Sequence, residues 1–491
     1  MKNILKYFSM LSVIVLMASC ENFLDVNEDP NNPVSVTPDL VLPVAQNYTA
    51  NVMKMDRYIN CLGNMMMYNW SQSDGYSWYG DEFKYNVTSS FYQQCFNYSY
   101  SNVLKSYQIL ANLDSTYAYY KAIGEIMKAY HFQLLVDMYG DIPYSEALQR
   151  SGEATPVYDD AKTIYENLIV KLTDAIRMIN DNPTSKKPGA DDIMFGGDMY
   201  MWKQFANTVK LRILVRQSSM SGRDGYLKEQ FGVIAQEGSG FITEDVGVNP
   251  GYLVQINKQN PLWDDFGKDP AGTDEMSGKA TCATDYVLAF LADTKDPRID
   301  WIYEKPATGH LGVPQGLLDY DTPVPDAYMP ELVSNIGPGI LKSATMDAVI
   351  YTLAESYLNQ AEARHKGLIT TGDDAKTLYQ KGIEASFAYL GASGASAYYS
   401  QIKNLVNWES STNKLQAIIT QKWIATNGIT AEQSWFDYSR TGFPAGLPIS
   451  QQASTSDRPV RLFYPAGEYS SNGENLPAQP NAFTEKIFWA K

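Results

Sequence analysis

Val349-Ile350-Tyr351-Thr352-Leu353-Ala354-Glu355-Ser356-Tyr357-Leu358-Asn359-Gln360-Ala361-Glu362-Ala363 decides the fold class. Val349, Ile350, Leu353, Ala354, Tyr357, Leu358 and Ala361 recur every three or four residues, which predicts a helix with one apolar side. The same period runs through Ile123, Met127, Tyr130, Leu134 and Met138, and through Ala161, Ile164, Tyr165, Leu168, Leu172, Ala175 and Ile176. It returns at Trp202, Phe205, Val209, Ile213 and Arg216. Near the start, Thr37-Pro38-Asp39 supplies an N-cap, a proline at the first helical position and an acid in the first turn. Val41, Val44, Ala45, Tyr48, Val52 and Met55 then continue that helix. The expected class is mainly α, built from stacked helix pairs. The Ala, Tyr and Leu positions are similar to tetratricopeptide units, but no strict 34-residue period holds, so an irregular helical domain is the alternative.

Glu355 and Glu362 lie seven apart at the edge of their stripe, nearly on one side of the helix. Paired carboxylates serve as acid and base in glycoside hydrolysis only when they oppose each other across a bond. One helical face gives no such opposition. The plainer reading has them bonded to a neighbouring helix or paired with an arginine such as Arg440.

Between the helical stretches, residues 238–345 are rich in Gly and Pro and hold Trp263, Phe266, Trp301 and Tyr303. A long irregular segment with this many aromatics reads as functional loops, not as disorder. A second aromatic cluster, Trp70, Tyr76, Trp78 and Tyr79, sits in a polar stretch with Asp74, Gly75 and Asp81. These eight aromatics are the candidate ligand-binding residues. A sugar ring packs its C–H face on an aromatic plane while its hydroxyls bond polar groups at the rim. Rings that merely pin loops to the scaffold are the competing reading for each of them.

Composition narrows the function further. Lys plus Arg is 39 against 55 Asp plus Glu, a net charge of −16, and removal of Lys2 and Lys6 with a leader would make it about −18. Such a surface repels phosphate backbones, so nucleic acid is not an expected partner. The three histidines, His131, His310 and His365, are widely separated and form neither a metal pair nor a nucleophile–base arrangement. No catalytic residue, resident metal or cofactor is assigned. No EF-hand spacing occurs; Asp264, Asp265, Asp269 and Asp274 could together wrap a calcium ion, although a solvated loop is the commoner meaning of such a run. Cys61, Cys95 and Cys282 are read as buried thiols, with a Cys61–Cys95 bridge as the alternative.

At the N-terminus, Lys2 and Lys6 precede an apolar run from Tyr7 to Met17, too short to span a membrane, and Leu16-Met17-Ala18-Ser19-Cys20 follows. This resembles a bacterial lipoprotein box, which implies a signal peptide over 1–19, lipidation at Cys20 and a tether over 20–36. A single helical domain is expected over 37–491.

Several further stretches occur in a telling order. Phe23-Leu24-Asp25-Val26-Asn27 precedes Asp29-Pro30-Asn31-Asn32-Pro33, and Gly140-Asp141-Ile142-Pro143-Tyr144-Ser145-Glu146-Ala147 comes next. The Glu355–Ala363 helix follows, then Gln421-Lys422-Trp423-Ile424-Ala425, Trp435-Phe436-Asp437 and Arg440-Thr441-Gly442-Phe443-Pro444. Arg458-Pro459 and Arg461-Leu462-Phe463-Tyr464-Pro465 close the series. From Cys20 to Trp489 this set resembles the SusD/RagB family of nutrient-binding outer-membrane lipoproteins of Bacteroidetes. The resemblance implies a SusD-like α-superhelical fold, with tetratricopeptide-like pairs as scaffold and long loops on one face. It also implies a non-enzymatic role at the outer membrane, lipid-anchored and facing outward. There an oligosaccharide, or in some members an oligopeptide, is captured for a SusC-like TonB-dependent transporter. A surface glycoside hydrolase is the remaining alternative.

Overall fold

Thr352 starts the helix that the sequence placed a few residues earlier. Its hydroxyl accepts the Glu355 N–H at 3.1 Å, capping Leu353–His365. Val349 and Ile350, expected inside that helix, instead belong to a strand, Ala348–Tyr351, paired with Val246–Val248. Two β-branched residues suit a pleated ladder better than a helix's first turn, and the pairing partner lies about a hundred residues away, beyond the reach of a local pattern.

The computed structural model describes residues 37–149, 152–318 and 326–490. The leader over 1–19, Cys20 and the 20–36 tether lie outside the described residues. Among the described residues the main helices are α1 (Pro38–Lys54), α2 (Ile59–Met66), α3 (Lys105–Ala111), α4 (Ala118–Tyr139), α5 (Ala161–Asp181), α6 (Met199–Arg216) and α7 (Asp224–Glu237). They continue with α8 (Pro261–Phe266), α9 (Leu353–His365), α10 (Ala375–Leu390), α11 (Lys414–Thr426) and α12 (Glu432–Thr441). Consecutive members pack as pairs, α3 on α4, α4 on α5, α5 on α6 and α9 on α10, while α9 also meets α6 and α11. The protein is therefore mainly α, with helix pairs as its scaffold. The expected stripes at 123–138, 161–176 and 202–216 fall inside α4, α5 and α6, and the first fills α1 except for Met55, which is the extended residue after its end. Thr37 does occupy the N-cap of α1, but its side chain makes no capping bond.

The strands are three short antiparallel ladders: β1 (Trp70–Gln72) with β5 (Thr281–Ala283), β2 (Ile142–Pro143) with β3 (Tyr158–Asp159), and β4 (Val246–Val248) with β6 (Ala348–Tyr351). The first and third tie a connecting segment to one far away in the chain, and the second closes the nearby 142–159 stretch on itself. The 238–345 stretch is less irregular than expected, since α8, Met276–Ala280, Asp285–Asp293 and Ile299–Ile302 interrupt its loops.

An ion network joins the scaffold inside. Arg212 on α6 grips Glu355 with two bonds of 2.8 and 2.9 Å, and Arg440 on α12 holds Glu362. Asp437 receives Arg216 at 2.7 Å, Lys422 at 2.7 Å and Arg440 at 3.0 Å. All of these side chains are buried. Burial alone would raise the Glu362 carboxyl, yet the Arg440 guanidinium overrides it and holds the group down to about 2. The two acids of the opening stretch are thus cross-links between helices. Trp489 completes the interior, its indole N–H donating to Asp137 at 2.9 Å.

Cys61, Cys95 and Cys282 are free and buried, with burial pushing each thiol upward. Among the described residues no helix is long and apolar enough to cross a membrane.

Candidate functional site

The β1–β5 ladder sets Trp70 opposite Ala283 and Gln72 opposite Thr281, which ties the stretch holding the first aromatic cluster to the 238–345 segment. From β1 the Gln72 side chain shapes the following loop. Its carbonyl oxygen accepts the N–H of Trp78 at 2.6 Å and of Tyr79 at 3.2 Å, while its amide donates to the Tyr76 carbonyl. Gly75, at φ +84°, makes the turn that an L side chain would strain. Asp74 N–H donates to Tyr328 O at 2.8 Å, fastening the loop to the far side of the cleft.

Facing it stands α8, begun by Asn260, whose side chain accepts from Leu262 N–H at 2.9 Å and Trp263 N–H at 3.2 Å, with Pro261 at the first position. The Trp263 indole lies across Gly267 and donates to Lys268 O at 3.0 Å. A Cβ at Gly267 would stand 2.6 Å from that ring, so the glycine is what lets it lie there.

Between these walls is a cleft of about 500 Å³. Tyr76, Trp263 and Phe266 supply the aromatic lining, and Lys268, Asp274, Glu304, Glu331 and Asn335 the polar rim. Lys268 pairs with Asp274. Burial raises the Glu304 carboxyl, and nearby Asp274 adds to the rise. Such a lining offers one apolar plane ringed by both donors and acceptors, the chemistry suited to a neutral hydroxylated ligand.

The eight candidate aromatics divide. Tyr76 and Trp263 line the cleft and are partly open, and Phe266 closes its floor while packing on Trp70 at a ring separation of 5.3 Å. Trp70, Tyr79 and Tyr303 are at most 1% exposed and present no face to a ligand. They are pinned for structural reasons: Tyr79 bonds the Thr281 hydroxyl at 2.6 Å, and Tyr303 donates to Asn69 O at 2.9 Å. Trp78 is half-buried under the Arg57 guanidinium, 5.2 Å from its ring centre, and donates to Asp56 at 3.3 Å. Trp301 is 37% exposed but lies against Gly391, away from the cleft. The rim residues Glu304, Glu331 and Asn335 escaped the sequence reading, and the only signal for them was the Gly- and Pro-rich run around Gly337 and Pro338.

The four aspartates weighed for calcium go to separate partners. Asp264 accepts from Gln259 at 3.0 Å, Asp265 from Asp56 N–H at 2.6 Å, Asp269 from Thr273 N–H at 2.8 Å, and Asp274 takes Lys268. Among the described residues no group of three or more His, Cys, Asp or Glu is placed to hold a metal.

The described residues thus form a scaffold of paired helices with an aromatic-lined cleft built from its connecting loops. A SusD-like family described as "Starch-binding associating with outer membrane" matches residues 30–465, and the chain belongs to that family. No curated protein sequence matches significantly. Among solved structures, a chitin-binding protein is 24% identical with a TM-score of 0.75, covering 92% of this chain and 100% of that one. A chitin-binding SusD homolog from Flavobacterium johnsoniae is 21% identical with a TM-score of 0.75, covering 92% and 98%. A SusD homolog from Bacteroides uniformis is 22% identical with a TM-score of 0.73, covering 92% and 99%. At these identities the likeness is one of fold.

Proposed function

We propose that this protein is a non-enzymatic lipoprotein, anchored through Cys20 on the outer face of the outer membrane, that captures oligosaccharide and passes it to a SusC-like TonB-dependent transporter. The observation that carries the reading is the cleft in which Tyr76 and Trp263, from the two aromatic clusters, meet beneath a rim of Asp274, Glu304, Glu331 and Asn335. Family membership supports a carbohydrate cargo, and the chitin-binding description of two solved relatives points to amino-sugar chains among the first to try. The two acids that a hydrolase reading would use, Glu355 and Glu362, are engaged by Arg212 and Arg440 inside the scaffold.

The test is an array of starch- and chitin-derived oligosaccharides and of peptides, probed with the chain from Glu21 onward, with and without Trp263→Ala. Glycan binding that the substitution abolishes is the expected result. Binding confined to peptides, or release of shortened glycan, would replace the reading. Co-purification of the full-length lipoprotein with a TonB-dependent transporter tests the partner.

A further inference from the structure

A second groove lies behind the first. At 100° per residue, Trp263 and Phe266 of α8 face the aromatic cleft, whereas Pro261, Asp264 and Asp265 face the opposite way. On that side is a cavity of about 670 Å³. Its second wall is α1, whose Val44, Asn47, Tyr48 and Asn51 repeat at three- and four-residue spacing along it. The third is the 250–259 segment, a tight loop closed by Leu253 N–H donating to Lys258 O at 2.8 Å.

The chemistry of this groove is not that of an anion site, because Lys258 is the only cation among the described residues that line it, against Asp264 and Asp265. Nor is it a plain apolar docking face. Two side-chain amides, Asn47 and Asn51, stand one turn apart beside the Tyr48 ring, and Tyr252 faces them from the loop. Two polar atoms in its wall also lack partners. The Tyr252 hydroxyl and the Gln259 side-chain carbonyl make no hydrogen bond among the described residues, though the residues are only 7% and 5% exposed. Buried polar atoms are ordinarily satisfied, so these two are open to water or to another hydrogen-bonding partner. Rings for C–H faces, amides that both donate and accept, and unsatisfied polar atoms together favour a neutral polyhydroxylated chain. Leu253, Val254 and Ile256, next to the lining residues in the same loop, are 45%, 60% and 74% exposed.

We propose that this groove is a second oligosaccharide site, on the other side of α8 from the aromatic cleft, which takes a remote stretch of a chain whose other end occupies the cleft. The inference rests on the glycan reading above. It makes the protein selective for length, because a chain too short to round α8 engages only one of the two sites.

Calorimetry with chitobiose, chitohexaose, maltose and maltohexaose on the chain from Glu21 onward tests it. Asn47→Trp fills the groove, and Asn47→Ala removes one amide with little risk to folding, which thermal melting checks. For whichever hexasaccharide binds, Asn47→Trp should weaken affinity about tenfold and Asn47→Ala about threefold, the loss of one or two ligand hydrogen bonds. Disaccharide affinity should stay at the wild-type value. Unchanged hexasaccharide affinity in both folded variants would overturn the second site, as would an equal loss for both lengths. If wild type binds none of the four sugars while peptides bind, the glycan reading itself has failed.

Discussion

Arg440 Nη2 donates to Glu362 Oε2 at 2.8 Å while Nη1 takes the other carboxylate oxygen at 2.5 Å, joining α12 to α9 with neither side chain open to solvent. Removing one member of such a pair leaves the other as an uncompensated buried charge. Glu362→Gln should therefore destabilise the fold by about 3–5 kcal/mol, read from urea unfolding. Arg440→Met combined with Glu362→Leu should cost less than the sum of the single substitutions, because the partners share one interaction. Strict additivity would show that the pair does not act as a unit.

The same network fixes behaviour in acid, and a buried carboxylate outside it runs the other way. Glu362 is held at about 2 and Asp437 is depressed against the pull of burial by Lys422, Arg216 and Arg440. Unfolded, both acids titrate near their ordinary values, so the unfolded chain binds more protons between those values and about 2. Stability from these two is complete above about pH 4.5 and drains away as pH falls toward 2. Glu82 runs the other way, since burial raises its carboxyl to about 7. There the native state holds the extra proton, and its contribution is lost as pH rises from about 4.5 through 7. Glu82→Gln can keep the bond that the Tyr92 hydroxyl donates at 3.0 Å, and should flatten the decline in melting temperature across that window. An unchanged pH profile would remove Glu82 as its source.

Helices with a continuous apolar stripe were legible in the sequence because their period is set within one or two turns. Val349 and Ile350 were not, since what makes them a strand is Val246–Val248, far away in the chain. The candidate site shows the same limit. Trp70 and Trp263 look alike in sequence, each in a polar loop-like stretch. Pairing with β5 and contact with Phe266 bury Trp70 to 1% exposure, while Gly267 leaves Trp263 lying at the cleft wall. Aromatic content marked the two stretches, but only long-range packing decides which of their rings line the cleft.

Gly63 offers a test of how closely the scaffold is packed. It sits within α2 where that helix meets the start of α12, and a Cβ there would stand 2.0 Å from the Glu432 backbone nitrogen. Gly63→Ala must push the helices apart and should destabilise the protein by about 1–3 kcal/mol or more. Gly232, exposed within α7 with open space around its Cα, is the control. Gly232→Ala should stabilise by about 0.5–1 kcal/mol through helix propensity. Equal effects of the two substitutions in denaturant melts would contradict the close approach of α2 to α12.

Trp70 and Trp263 separate folding from binding. Trp70→Ala empties a fully buried position and should cost about 3–5 kcal/mol of stability, seen as a large drop in melting temperature. Trp263→Ala removes a partly open ring whose indole makes one bond to a neighbouring carbonyl. It should shift the melting temperature little while weakening glycan affinity at least about tenfold, the order expected for losing an aromatic anchor. Calorimetry on both variants at a temperature where each is folded reads the difference. Should Trp263→Ala bind glycan like wild type, the cleft at α8 is not where the sugar ring stacks, and the exposed Trp301 beside Gly391 becomes the ring to test next.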